Sequence, residues 1–376
     1  MRILMIAPEP CFIPRGTPMS VLARCRALTE LGHTIDLLTY PVGDDVSLDG
    51  LSIIRTPRLF GIRRVKAGPS VLKMLLDVFV FFKTWRLLRR GDYDCVHTHE
   101  EASFIGALFA RRYGIPHLYD MHSSLSEQLA NYRWFPMKPM VWFAKKIEQW
   151  MLKRTDFVIC ICQKLADGAG GLAETAVIHN VPLPEDTIPP VPATEAVALY
   201  VGNFGNNQGL DLLIDSISLV RKHRSDVRFV LAGGERRRIS KLYSRIAKLE
   251  IEHSVQLMER TSTADAARLL ADAAVLLSPR PRGENVPLKI YHYLHAGKPI
   301  VATDIPAHTQ VLNDTTAVLT DVSPPAFAEG ILRVLSDAEL ARKLGAAAGD
   351  LAEREYSYPA YREKVNEAYR RCTRSS

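Results

Sequence analysis

No hydrophobic run in this 376-residue chain reaches the roughly 18 apolar residues that a membrane-crossing helix needs, so no transmembrane span is expected. The opening MRILMIAPEP is too short for a signal peptide and reads as a first β-strand. Cysteine is sparse. The six, Cys11, Cys25, Cys95, Cys160, Cys162 and Cys372, form no CxxC pair and no Cys/His ligand spacing, so no metal site is expected. Their scatter suggests reduced thiols in a cytoplasmic protein. A nucleic-acid module is also missing, and the basic residues accompany large apolar side chains that phosphates would not use.

What is present is an ordinary globular composition, 47% hydrophobic and 24% charged, in a chain long enough for two cores. The net charge of +7 is unevenly placed. Residues 1–182 carry 23 Lys and Arg against 17 Asp and Glu, while the remainder is nearly balanced at 25 against 24. Residues 55–90 alone hold ten basic residues and one acid, Asp77. A local basic surface of this kind faces an anionic partner.

Short β-branched runs alternate with helical patterns from the start. Strands are expected at 2–7, 34–40, 51–56, 93–99, 116–121 and 156–161. Between the first two, Val21, Leu22, Cys25, Leu28 and Leu31 recur at helical spacing, and Gly32 supplies a stop. The pattern breaks at the proline-dense stretch 181–196, then restarts with AVALYVG, DVRFVLAGG, AAVLLS and KPIVATD. This predicts two α/β domains, 1–182 and 197–356, joined by a linker at 183–196. A final helix at 357–376 is expected to cross back to the first domain. Parallel sheets bind ligands outside the carboxyl ends of their strands, which directs attention to the loops there and to a cleft between the domains.

The densest cluster of such loops is SPRPRGENVPLKIYHYLHAGKPIVATD, residues 278–304. It resembles the donor-site signature of family 4 retaining glycosyltransferases, in which an acidic loop runs into a helix whose N–H groups meet the donor diphosphate. The resemblance extends from Arg2 to about Leu319 and implies a GT-B fold, two Rossmann-like domains facing each other across a cleft. In it, Glu284 matches the first acid of a two-glutamate motif that contacts the sugar, and Asn285, Val286, Pro287 and Leu288 lie where N–H groups reach phosphate. Lys289 lies on the same helix. The second acid is replaced by His292, whose imidazole is a different kind of partner for a ribose hydroxyl.

A second segment, residues 199–220, resembles the family's strand, Gly-Arg loop and Lys-Gly helix. Gly202 and Gly209 are in place, but Asn203 and Gln208 stand where the family's Arg and Lys clamp the diphosphate. Neutral amides can hydrogen-bond phosphate without neutralising it. Arg15, Arg280, Arg282 and Arg236 to Arg238 are candidate replacement cations. In the first domain, Gly16 matches a glycine-rich turn near donor and acceptor, and His122 matches a histidine beside the transferred sugar and its leaving phosphate. His97 and His99 straddle a strand end, so one of the two is expected to face the cleft.

The resemblance implies transfer of a hexose from a nucleotide diphospho-sugar to a hydroxyl acceptor, with retention, without a metal and with no cofactor beyond the donor. Two helical patterns bear on the acceptor. On residues 69–90, Met74, Leu75, Val78, Phe81, Phe82 and Trp85 form an apolar face beside Lys83, Arg86 and Arg90, with Lys73 and Asp77 away from it. Residues 131–154 interleave Trp134, Phe135, Trp142, Phe143 and Trp150 with basic side chains. Both suit an anionic membrane interface, and both equally suit helices that cover the first domain's sheet with solvated charges; the first reading implies a lipid-linked glycan acceptor and peripheral attachment to the inner face of the membrane. The lost Arg, Lys and second acid leave two rivals open: a non-catalytic binding protein of the same fold, and a nucleotide-sugar 2-epimerase.

Overall fold

The computed structural model describes residues 1–374 other than 14–15, 59–61, 63–64, 66–69, 126–137, 190 and 193–194, with the backbone alone for 138–141. Arg15, Trp134 and Phe135, singled out above, lie outside the described residues. The chain divides into two compact units, Met1–His179 with Tyr361–Ser376, and Asn180–Ala360.

The first unit contains β1 (Arg2–Ala7), α1 (Gly16–Glu30), β2 (Thr34–Thr39), β3 (Leu51–Arg55), α2 (Val71–Leu88), β4 (Cys95–His99), α3 (Ala102–Tyr113), β5 (His117–Met121), α4 (Lys138–Leu152), β6 (Phe157–Cys160), α5 (Gln163–Ala169) and β7 (Glu174–Val177). Its seven strands lie in the order β3-β2-β1-β4-β5-β6-β7, all parallel. Parallel strands bury both faces, which is why ILMIA in β1 and FVIC in β6 read as unbroken apolar runs without polar alternation.

The second unit contains β8 (Val197–Val201), α6 (Leu210–Arg221), β9 (Arg228–Gly234), α7 (Arg236–Lys248), β10 (Val255–Glu259), α8 (Thr263–Asp272), β11 (Val275–Ser278), α9 (Leu288–His295), β12 (Ile300–Thr303), α10 (Pro306–Thr309), β13 (Val318–Thr320), α11 (Pro324–Ser336) and α12 (Ala338–Glu355). A last helix, α13 (Tyr358–Arg374), gives its residues from Tyr361 onward to the first unit. Strand order in the second sheet is β10-β9-β8-β11-β12-β13, again parallel.

Both sheets have a doubly wound order that reverses direction beside the first strand, at β1/β4 and at β8/β11. Chain connections leave on opposite sides there, so a crevice opens at the carboxyl ends of those strands. The proline-dense stretch packs on the second unit: Val181 and Leu183 are buried, and Lys298 Nζ donates to the Val191 carbonyl at 2.5 Å.

Helix α2 turns most of its apolar face outward. It starts on a Ser70 side chain that accepts from the Lys73 N–H at 3.2 Å, and it buries Leu76, Val80 and Leu88. Lys73 pairs inward with Glu101 at 2.8 Å, and Asp77 accepts from Tyr40 Oη at 2.6 Å. The stripe of Met74, Leu75, Val78, Phe82 and Trp85 is therefore exposed, Met74 by 69% and Phe82 by 59%, and only Phe81 joins the core. On α4, Trp142 and Phe143 are also exposed by more than half. Among the described residues no helix is long and apolar enough to cross a membrane.

Candidate functional site

In the first unit the chemistry gathers at the carboxyl ends of β4 and β5. Only one of His97 and His99 was expected to face the cleft, on the reading that they straddle a strand end, but β4 runs through His99. With a side-chain period of two, residues 97 and 99 share a face. Both are fully buried, with rings stacked 4.5 Å apart. They point at Asp120 on β5, whose Oδ2 lies 3.7 Å from His97 Nε2 and 4.0 Å from His99 Nδ1. Arg24, on the buried side of α1, donates to the same oxygen from Nε at 3.0 Å and Nη2 at 2.8 Å. The α13 residues Tyr361 and Tyr369 close the cluster, the first under the Arg24 guanidinium at 5.2 Å and the second bonded through its hydroxyl to His97 Nδ1.

Burial works against a charged Asp120, yet the Arg24 guanidinium and neighbouring His122 hold its carboxyl well below the usual range. Burial also pushes His97 and His99 down, so both are neutral at pH 7. His97, His99 and Asp120 bring one ligand atom each within 4.8 Å of one another. An ion placed there would share its only carboxylate with a buried guanidinium, which argues against a metal centre. The cluster reads instead as a charge-balanced support for His122, which sits just past β5 with Nε2 3.4 Å from Asp120 Oδ1 and little exposure. The loop beyond it is fixed by Glu148 of α4, which accepts from the Leu125 N–H and the Ser124 hydroxyl, each at 2.9 Å. Gly16 opens α1 and is exposed, and a Cβ there would meet nothing within 4 Å.

In the second unit the loops after β8 and β11 touch. Gly209 has φ +77°, and a Cβ on it would lie 1.8 Å from the Pro279 carbonyl oxygen. Gly209→Ala should therefore cost about 3 kcal/mol, from a strained backbone and a clash with main chain. Calorimetry reads this directly, and a Tm unchanged within about 1 °C would contradict the close approach. Tyr293 of α9 ties the same two strands together, accepting from Val201 N–H at 3.0 Å and donating to the Leu277 carbonyl at 3.1 Å. Gly202 has φ +154°, and Asn203 closes a turn by accepting from the Gly205 N–H at 3.0 Å.

The 279–287 loop is held from several directions. Arg280 donates to the carbonyls of Arg282 at 3.0 Å and Asn285 at 3.2 Å. Ala307 N–H donates to the Gly283 carbonyl at 3.0 Å, and Gln310 Nε2 to the Glu284 carbonyl. The Glu284 side chain is exposed above this bracing. Helix α9 then starts at Leu288 with Pro287 as cap residue, no capping side chain and no acid in its first turn. The Ile290 N–H donates to the Pro287 carbonyl at 2.9 Å, the N–H groups of Leu288 and Lys289 have no partner within the helix, and the dipole presents positive charge to the crevice. Val286 is buried, Asn285 and Lys289 are half-buried, and Arg282 is exposed. His292 is half-buried too, and burial, with His295 nearby, pushes its imidazole down to about 4, leaving it neutral.

Buried neutral histidines make both units acid-sensitive. Burial pushes His117 in the first unit down to about 3 and His308 in the second down to about 4. An unfolded imidazole titrates near 6.5, so between pH 7 and 5 the unfolded chain takes up protons that the folded one refuses. Stability falls with pH across that window, by up to about 2 kcal/mol per histidine at pH 5. Urea midpoints at the two pH values test this, and a flat profile would contradict it.

Comparison with known proteins covers both units. The model described as Glycosyltransferase Family 4 matches residues 14–180, and that described as Glycosyl transferases group 1 matches residues 195–337. Phosphatidyl-myo-inositol mannosyltransferase of Mycobacterium tuberculosis is 23% identical, over 98% of this chain and 96% of its own length. The protein of that name from Mycobacterium leprae is likewise 23% identical over 98% of this chain. Among solved structures, sucrose-phosphate synthase from Thermosynechococcus elongatus superposes with a TM-score of 0.83 at 17% identity, covering 100% of both chains. HepE from Anabaena in complex with UDP gives 0.76 at 16% identity, over 98% of this chain and 100% of its own. With a glycosyltransferase model on each α/β unit and relatives of that activity along nearly the whole chain, the protein belongs to glycosyltransferase family 4 and has the GT-B architecture.

Proposed function

We propose that this glycosyltransferase takes a hexose from a nucleotide diphospho-sugar and transfers it, with retention and without a metal ion, to a hydroxyl of a lipid-linked acceptor. The observation that carries the reading is the uncapped start of α9 in the β8/β11 crevice, with the exposed Glu284 four residues ahead of it. A helix start without acids or a capping side chain is suited to a diphosphate, and a carboxylate beside it is suited to sugar hydroxyls. In the step, the bond from the anomeric carbon to the diphosphate oxygen breaks and one to the acceptor oxygen forms. The acceptor's proton passes to the departing phosphate, so no protein nucleophile is required. What the protein contributes is position and electrostatic stabilisation: Glu284 and His122 for the sugar, and Gly16, Gly202, Asn203, Gln208 and the N–H groups of 285–288 for phosphates.

The lipid-linked acceptor is supported by the exposed apolar faces of α2 and α4 and by their cations, three of which lie over neighbouring aromatic rings: Arg89 on Trp85, Lys146 on Trp142 and Arg154 on Trp150. The names of the mycobacterial relatives make mannosyl transfer to an inositol phospholipid the first pair to assay. Thermal-shift and calorimetric titration with UDP, GDP and ADP, followed by transfer of labelled sugar to membrane lipid and anomer assignment of the product, tests the reading. Failure of every nucleotide to bind would end it. For the membrane contact, binding to phosphatidylserine vesicles should weaken about tenfold or more when Lys83, Arg86, Arg89 and Arg90 are replaced by Ala, each cation contributing roughly 1 kcal/mol. Equal sedimentation of the variant and the parent would contradict the surface assignment.

A further inference from the structure

We propose that Arg280 and Lys289 supply the positive charge that meets the donor diphosphate, in place of the neutral Asn203 and Gln208. The inference rests on the donor reading of the β8/β11 crevice and assigns its charge to two specific side chains.

Lys289 belongs to the first turn of α9, but its side chain leans across to the β8 loop. Its Nζ donates to Gln208 Oε1 at 3.3 Å and lies 4.1 Å from the centre of the Tyr200 ring. The Tyr200 hydroxyl donates to the same amide oxygen at 3.3 Å and to the Asn203 carbonyl at 2.8 Å. The ammonium is thus held beside Gln208, one of the two residues that stand in place of the lost clamp. Arg280 arrives from the other strand of the switch point, at the end of β11. Its bonds to the Arg282 and Asn285 carbonyls keep the guanidinium under the loop that leads into α9.

Neither cation has a carboxylate. Several other arginines of this unit find acids even at the surface: Arg245 with Asp215 at 2.6 Å, Arg224 with Asp226 at 2.7 Å, Arg236 with Glu259 at 2.7 Å. Among the described residues Arg280 and Lys289 form no ion pair, although they lie close enough to repel. Burial lowers the proton affinity of Lys289 well below its ordinary range, and the Arg280 charge lowers it further. Arg280 is itself lowered by burial. Two half-buried like charges without a counter-ion destabilise the empty protein, and a bound dianion would relieve both at once. The helix start supplies the third positive contribution on the same side. Of the other candidates, Arg15 lies outside the described residues, Arg236 is already paired, and Arg237 and Arg282 are exposed.

The test compares UDP and GDP with uridine and guanosine by calorimetric titration of the full chain. Lys289→Gln should weaken the diphosphates about 10- to 100-fold and leave the nucleosides within about twofold. The same substitution should raise Tm by a few degrees, roughly 2–4 °C, because it removes an uncompensated charge; a purely structural lysine would lower it. Adding Asn203→Arg and Gln208→Lys to Lys289→Gln should recover diphosphate affinity at least tenfold. Unchanged diphosphate affinity in Lys289→Gln, or a parallel loss of the nucleosides, would overturn the assignment while leaving the donor reading intact. A parent protein that binds no nucleotide would remove the donor reading, and this inference with it.

Discussion

Arg24→Met should destabilise the protein by about 3–5 kcal/mol, enough to bring a domain of ordinary stability close to unfolding. The substitution keeps the helix and nearly the volume, but it leaves Asp120 ionised, wholly buried and facing two neutral imidazoles. Asp120→Leu alone should cost a comparable amount through the stranded guanidinium. The double variant Arg24→Met with Asp120→Leu should recover much of the loss, since replacing both partners removes the charges together. Urea denaturation of the three variants gives the coupling directly, and additive losses would contradict the pair. The sign with pH is fixed by the depressed Asp120 carboxyl. Its contribution is present above the ordinary carboxylate range and is lost as pH falls through the lower folded value. The acid softening between pH 7 and 5 described above belongs to the histidines and should persist in Arg24→Met.

The second large effect is on turnover. Glu284→Gln should lower kcat/KM for sugar transfer about 10²- to 10³-fold with Tm unchanged, because the side chain is exposed and its loop is held through backbone carbonyls. The amide keeps the shape and can still donate or accept, but it cannot hold a sugar hydroxyl with a charge-assisted bond. Full activity in this variant would remove Glu284 from the proposed machinery. His122→Ala should reduce turnover as well, but there the rate must be read against stability, because the imidazole lies 3.4 Å from the buried Asp120 carboxylate.

The interior strands could be read from composition. RILMIA, DFVICI and AAVLLS are continuous apolar runs because both of their faces are covered, and that signal survives in one dimension. Three edge strands, Glu174–Val177, Val255–Glu259 and Val318–Thr320, escaped the reading. The first two are partly exposed, so their side chains are mixed and carry no clear period. The loop and helix from Pro279 to His295 were also legible, since a strand end, Gly, an acid and an amphipathic turn follow in fixed order. Arg24 was not. Its spacing after Val21 places it on the buried face of α1, where an arginine contradicts the pattern unless a carboxylate from β5 is already known to wait there. The apolar face on α2 was legible, but not whether it faced outward: periodicity identifies an apolar face without saying what covers it.

The sequence by itself determined two α/β units, their strand and helix alternation, and the loops at the strand ends, because these depend on neighbours within about thirty residues along one chain. The tertiary structure decided which charges meet. Asp120 finds Arg24 across 96 residues, Lys289 finds Gln208 across 81, and Gly209 meets Pro279 main chain. A sheet order that reverses at β1/β4 and β8/β11 brings together strand ends that are remote in the chain. Burial then sets the cost of each charge by the partners it finds there, and no local pattern records those partners.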